Sequence, residues 1–148
     1  MCLWHRRAEL GRDERAERAC HVKPIIVTLP LRTTNPQNGA QGMSCAAALH
    51  RAKVRREQRA VTQMALHGRI SRVEVRALAA KLAVTLTRES AGVLDTDGLQ
   101  AALKSVRDGV ADALGIDDGD TERLEFRYQQ RKCPKGRYAV ECRIEMAT

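Results

Sequence analysis

The chain has 148 residues and a formal charge of +8, with 43% hydrophobic but only 3% aromatic residues. That length suits one domain; its core must rest on Leu, Val, Ile and Ala, and its apolar content excludes disorder throughout. No apolar run nears the roughly 18 residues of a membrane span, and Met1–Cys20 mixes both charges without the apolar stretch of a secretory signal, so a cytoplasmic protein is expected.

Residues 1–22 read as a charged extension, helical or disordered, ahead of a domain over 23–148. Lys23–Pro30 (KPIIVTLP) has the β-branched content of a strand, ended by Pro30. Leu31–Gly42 is a loop containing Asn-Pro and Asn-Gly. Ser44 can cap a helix running to about Leu66, with Leu49, Ala52, Val61 and Ala65 able to share a face. Its middle carries Arg51, Lys53, Arg55, Arg56 and Arg59 against Glu57, either a solvated face or a phosphate-contacting one. Ile70–Lys81 is ambiguous: Val73 and Val75 alternate like a strand, whereas RALAAKL favours helix. Leu82–Arg88 reads as a strand. Leu99, Leu103, Val106, Val110 and Leu114 recur at spacings of four and three, the clearest helix in the chain, ended by Gly115. Leu124, Phe126 and Tyr128 alternate, then Val140, Cys142 and Ile144, which suggests a hairpin with a basic tip at Arg131, Lys132 and Lys135. The order β, α, β, α, β, β implies an α+β domain: helices packed on a small mixed or antiparallel sheet.

Charge is unevenly distributed. Ala91–Phe126 holds nine acidic and three basic residues, a net of −6, so +8 overall leaves +14 for the rest. A basic field favours a polyanionic partner, nucleic acid first. Carboxylates clustered within it suit a nuclease, whose metal ion they would hold. Asp95 and Asp97 lie where the central helix starts, and Asp117, Asp118 and Asp120 follow it in a turn. Mg²⁺ takes carboxylate oxygens together with water and phosphate; the same aspartates also suit a helix cap and a plain turn. Lys104 and Asp108 stand four apart on the polar face, an ordinary i, i+4 pair unless the site uses them. The five cysteines (Cys2, Cys20, Cys45, Cys133, Cys142) have no CxxC spacing and are expected as reduced thiols. No two of the four histidines adjoin, so histidine-dependent catalysis is not expected.

The stretch LAVTLTR…LDTDGLQAALKSVRDGVADALGIDDGD resembles the core of the RusA-like Holliday junction resolvases of phages and prophages. Asp95 and Asp97 match that family's DxD, Lys104 and Asp108 its helix motif, and Asp118 the second Asp of its DD turn. IIVTLPLRTTN and LEFRYQQRK…GRYAVECRIE are similar to its opening strand and closing hairpin. Gly98 stands where the family usually has Asn, Lys104 lies three residues further on than usual, and Leu31–Thr34 replaces paired prolines. The resemblance implies a homodimeric, Mg²⁺-dependent endodeoxyribonuclease acting on branched DNA, with Asp95, Asp97 and Asp118 binding metal, Asp117 and Asp120 in reserve, and Lys104 at the scissile phosphate. The alternative is a nucleic-acid-binding protein without catalysis, its aspartates serving as caps and turns.

Overall fold

The computed structural model describes residues 23–35, 44–77 and 80–147. The N-terminal extension and most of the 31–42 loop therefore lie outside the described residues. Among the described residues four strands and three helices follow one another as β1 (Ile25–Leu29), α1 (Cys45–Leu66), α2 (Arg72–Ala77), β2 (Leu82–Ser90), α3 (Thr96–Leu114), β3 (Leu124–Lys132) and β4 (Ala139–Met146). The ambiguous segment resolves as the short helix α2. The sheet is mixed, in the order β1-β4-β2-β3, with β4 antiparallel to both β1 and β2 and β3 parallel to β2. This is an α+β fold.

The expected β3–β4 hairpin does not form. β2 lies between the two strands, and 133–138 carries the chain across its end. Side-chain character agrees with this order: in the inner strand β4, Val140 and Cys142 are fully buried and Ile144 is 5% exposed. β3 buries only Leu124 and ends in Gln129–Lys132, all exposed, which suits an edge. Burial also pushes the Cys142 thiol up to about 12, consistent with its expected role in the core.

The core lies between the sheet and α3. Leu103, Val106, Val110 and Leu114 meet Val84, Leu86 and Val140, all seven fully buried. Ser44 caps α1 by accepting from the Ala47 amide, and Gly115 closes α3 at φ 69°, where an L side chain would be strained. α1 buries Gln58, Thr62 and Leu66, and not the apolar set expected to share a face: Leu49 is 67% and Val61 39% exposed. Gln58 donates to the carbonyl of Arg32, just past β1, so a polar contact and not an apolar one seats this face of α1.

The sheet face away from the core carries a charge mosaic. Arg127 pairs with Glu125 at 2.8 Å, Arg131 with Glu89 at 2.6 Å, and Arg143 with Glu145 at 2.8 Å. Within these three pairs the charges cancel.

Candidate nucleic-acid interface

β1 and β2 run the same way, since both oppose β4, and β3 runs with β2. Their C-terminal ends meet the N-terminus of α3 at one end of the molecule. α1 lies parallel to α3: Arg51, Val54, Arg55 and Gln58 face Ala101, Ala102 and Ser105, and Arg59 reaches Asp112. The two helices touch at Gly109, where a Cβ would come within 2.7 Å of the Arg59 carbonyl oxygen.

A trough of about 380 Å³ runs between them, lined by Arg55, Arg56, Arg59, Lys104 and Asp108 over Ala101 and Ser105. It continues into a smaller hollow of about 130 Å³ beside Thr34, His50 and Arg51. Thr34 adjoins Asn35, whose side chain lies against Gly98, so the hollow leads toward the start of α3. Of the cations expected to meet nucleic acid, Arg51, Arg55, Arg56 and Arg59 line this path. Lys53 does not, pairing instead with Glu57 at 3.8 Å. Arg131 is bonded to Glu89 on the far face, while Lys132 and Lys135 are exposed near the 133–138 crossing.

The loop before α3 is firmly held. The Leu94 amide donates to Gln130 at 3.0 Å, and the Gln130 amide donates back to the Leu94 carbonyl at 2.7 Å. Arg88, only 6% exposed, donates to the hydroxyl and carbonyl of Thr33, the hydroxyl of Ser90 and the carbonyl of Gly92. All four acceptors are neutral, and burial lowers the arginine's pKa. Arg88 thereby ties the loop after β1 to the loop after β2. Arg32 of the former also stacks on Tyr138, 4.9 Å from its ring centre.

Within this frame Asp95 is the N-cap of α3, its Oδ1 accepting from the Gly98 amide at 3.0 Å. Asp97 is exposed in the first turn and makes no hydrogen bond or ion pair among the described residues. A Cβ at position 98 would meet the side-chain ends of Asp95 and Asn35, so any larger residue here would have to displace both.

Asp118 lies elsewhere. Arg107 holds it at 2.5 Å near the other end of α3, where Lys104 faces Asp108 at 3.6 Å and Arg59 grips Asp112 with two bonds, at 2.5 and 2.8 Å. The hydrogen bond from Arg59 holds the Asp112 carboxyl below the usual aspartate range. Asp117 accepts from the Gly119 amide and Asp120 from that of Arg123, both turn contacts. Thirteen residues separate Asp95 from Asp108, about 20 Å along a helix. The expected convergence of Asp95, Asp97 and Asp118 is therefore not formed; no group of three or more His, Cys, Asp or Glu able to hold a metal occurs among the described residues. Lys104 is brought to Asp108 and Asp118, not to the DxD pair.

Sequence reasoning missed Arg88, Gln130 and Ser105. An arginine in phase with the buried residues of β2 was the one available signal, and it marks a buried cation. No described helix is long and apolar enough to cross a membrane. No protein-family model matches the chain, and no curated protein is significantly similar to it.

Proposed function

We propose that the chain binds nucleic acid through its phosphates, in the trough between α1 and α3. The observation that carries this reading is the convergence of Arg55, Arg56, Arg59 and Lys104 from two helices onto a floor of small residues, with Asp108 facing Lys104 and Asp112 held by Arg59 beside them. Small floor residues let a phosphate chain come close, and the cations release its condensed counterions. Affinity should fall steeply with salt; a log–log slope near zero for any DNA tested would remove the reading.

A second reading, cleavage of branched DNA, is favoured by the state of Asp97. It is exposed and has no partner among the described residues, in the first turn of α3 after a well-braced loop. The three-aspartate Mg²⁺ centre does not fit, because Asp118 belongs to Arg107 at the other end of the helix. Asp95 and Asp97 alone fit an ion that takes one or two carboxylates and completes its shell with water and substrate phosphate. Mg²⁺ there would offset charge developing at a phosphate. A four-way junction also suits a two-fold dimer; β2 is enclosed by β3 and β4, so of the strands flanking the acidic segment only the β3 edge is open to one. The test is a synthetic four-way junction incubated with and without Mg²⁺. Cleavage by the parent and its loss in Asp97→Asn, with binding kept or tightened, supports the second reading. No cleavage with any divalent ion leaves binding as the function.

A further inference from the structure

The trough is described above as a phosphate-binding surface; its shape narrows what can enter it. An α-helix with its side chains is about 10–12 Å across. A DNA major groove is about 12 Å wide and admits one helix, and the minor groove is about half that. Here two helices lie side by side, pressed together at Gly109. Such a pair is too broad to insert into either groove, so a duplex can rest only on the outer ridges. The space between the helices is open only to something as slim as one backbone.

Its floor holds an unused polar group. Ser105 is 8% exposed and faces both hollows, and its hydroxyl makes no hydrogen bond among the described residues. Serine hydroxyls within helices readily bond the carbonyl four residues back, as Thr62 does to Gln58 at 2.8 Å. The Ser105 hydroxyl instead opens onto the trough, under Arg55, Arg56 and Lys104, where a ligand oxygen can accept from it. Among the described residues no Phe, Tyr or Trp lines either hollow, and His50 beside the smaller one offers a single ring, which leaves successive bases little to stack on. We infer that the trough holds a single polynucleotide strand by its phosphates, with Ser105 donating to a phosphate oxygen while Arg55, Arg56 and Lys104 flank it. This rests on the nucleic-acid reading above and adds the strandedness. Because contact is to phosphate alone, DNA and RNA strands should bind alike, and base sequence should matter little.

The experiment is a fluorescence-anisotropy titration of the full chain with a mixed-sequence oligodeoxynucleotide, the same sequence as RNA, and the same sequence as a blunt duplex, at several salt concentrations. The single strands should bind at least tenfold more tightly than the duplex. Ser105→Ala, a small change confirmed as folded by circular dichroism, should weaken single-strand binding about fivefold to tenfold and leave duplex binding within twofold. Arg55→Gln with Arg56→Gln should lower the single-strand salt slope by about 1.4, two phosphate contacts at about 0.7 each. Equal affinity for strand and duplex, with Ser105→Ala silent, overturns the inference while nucleic-acid binding stands. A tenfold preference between the DNA and RNA strands also overturns it, since sugar or base would then be read. No binding to any of the three removes both proposals.

Discussion

The two ends of α3 carry carboxylates in opposite chemical states. At its N-terminus Asp95 spends one oxygen on the Gly98 amide, and Asp97 has no partner among the described residues. Toward its C-terminus Asp112 and Asp118 are each held by an arginine, and Asp108 lies within 4 Å of both Lys104 and Arg107. What separates a candidate ligand from a structural acid is thus not the density of acids in the sequence. It is whether cations from elsewhere in the fold already occupy them. α1 and α3 supply those cations at one end; at the other, the nearest buried cation, Arg88, gives its hydrogen bonds to neutral oxygens.

Breaking the N-terminal end should have the largest effect. Arg88→Met leaves two carbonyls and two hydroxyls without their donor, and a loss of about 3 kcal/mol is expected. Urea denaturation measures it, and a loss under 1 kcal/mol would mean that the loops hold without the arginine. Asp95→Ala comes next, at about 1 kcal/mol for a lost cap, whereas Asp95→Asn should cost little because Asn caps nearly as well. A thermal melt of the pair separates capping from charge; equal losses would point to charge.

The smallest effect concerns the other end. Asp112 has its pKa lowered in the folded state by Arg59, so its contribution is present above the ordinary aspartate value and is lost as pH falls through the lowered one. The Arg59 partner is half exposed, so Asp112→Asn should cost below about 1 kcal/mol at neutral pH. That difference from the parent should shrink below about pH 4. A difference that stays constant down to pH 2 would assign the effect to packing rather than to the ion pair.

Helix α3 was legible because burial against a sheet writes a 3.6-residue period, and Gly115 marks its end at a positive φ. The start of α1 was legible from Ser44 for the same local reason. Its buried face was not. Gln58 and Thr62 are chosen by close approach to Arg32 and Gly109, and a polar pair buried by hydrogen bonding leaves no hydrophobic pattern. The β3–β4 hairpin was inferred from proximity in sequence, but alternation reports only which side chains face the core and not which strand lies alongside. The DxD pair was legible as a turn at a helix start. Its separation from Asp118 follows from helix length, which the sequence did contain. The capture of Asp118 by Arg107 is an i, i+11 contact that no short spacing rule would find.

The pairing of β1 with β4 carries a consequence for how the chain assembles. β2, α3 and β3 follow one another and form a compact unit from neighbouring sequence. Ile25, by contrast, sits opposite Ile144, 119 positions away. Closing so long a loop is entropically unfavourable until β4 is already in place beside β2. β1 should therefore dock last, as a five-residue edge strand held by one neighbour, and its amides should exchange with solvent before those of β2. Thr33 and Asn35 belong to the loop that β1 anchors. The upper wall of the strand path would then come and go with the least stable strand of the sheet, so its lifetime is set by edge opening rather than by global unfolding.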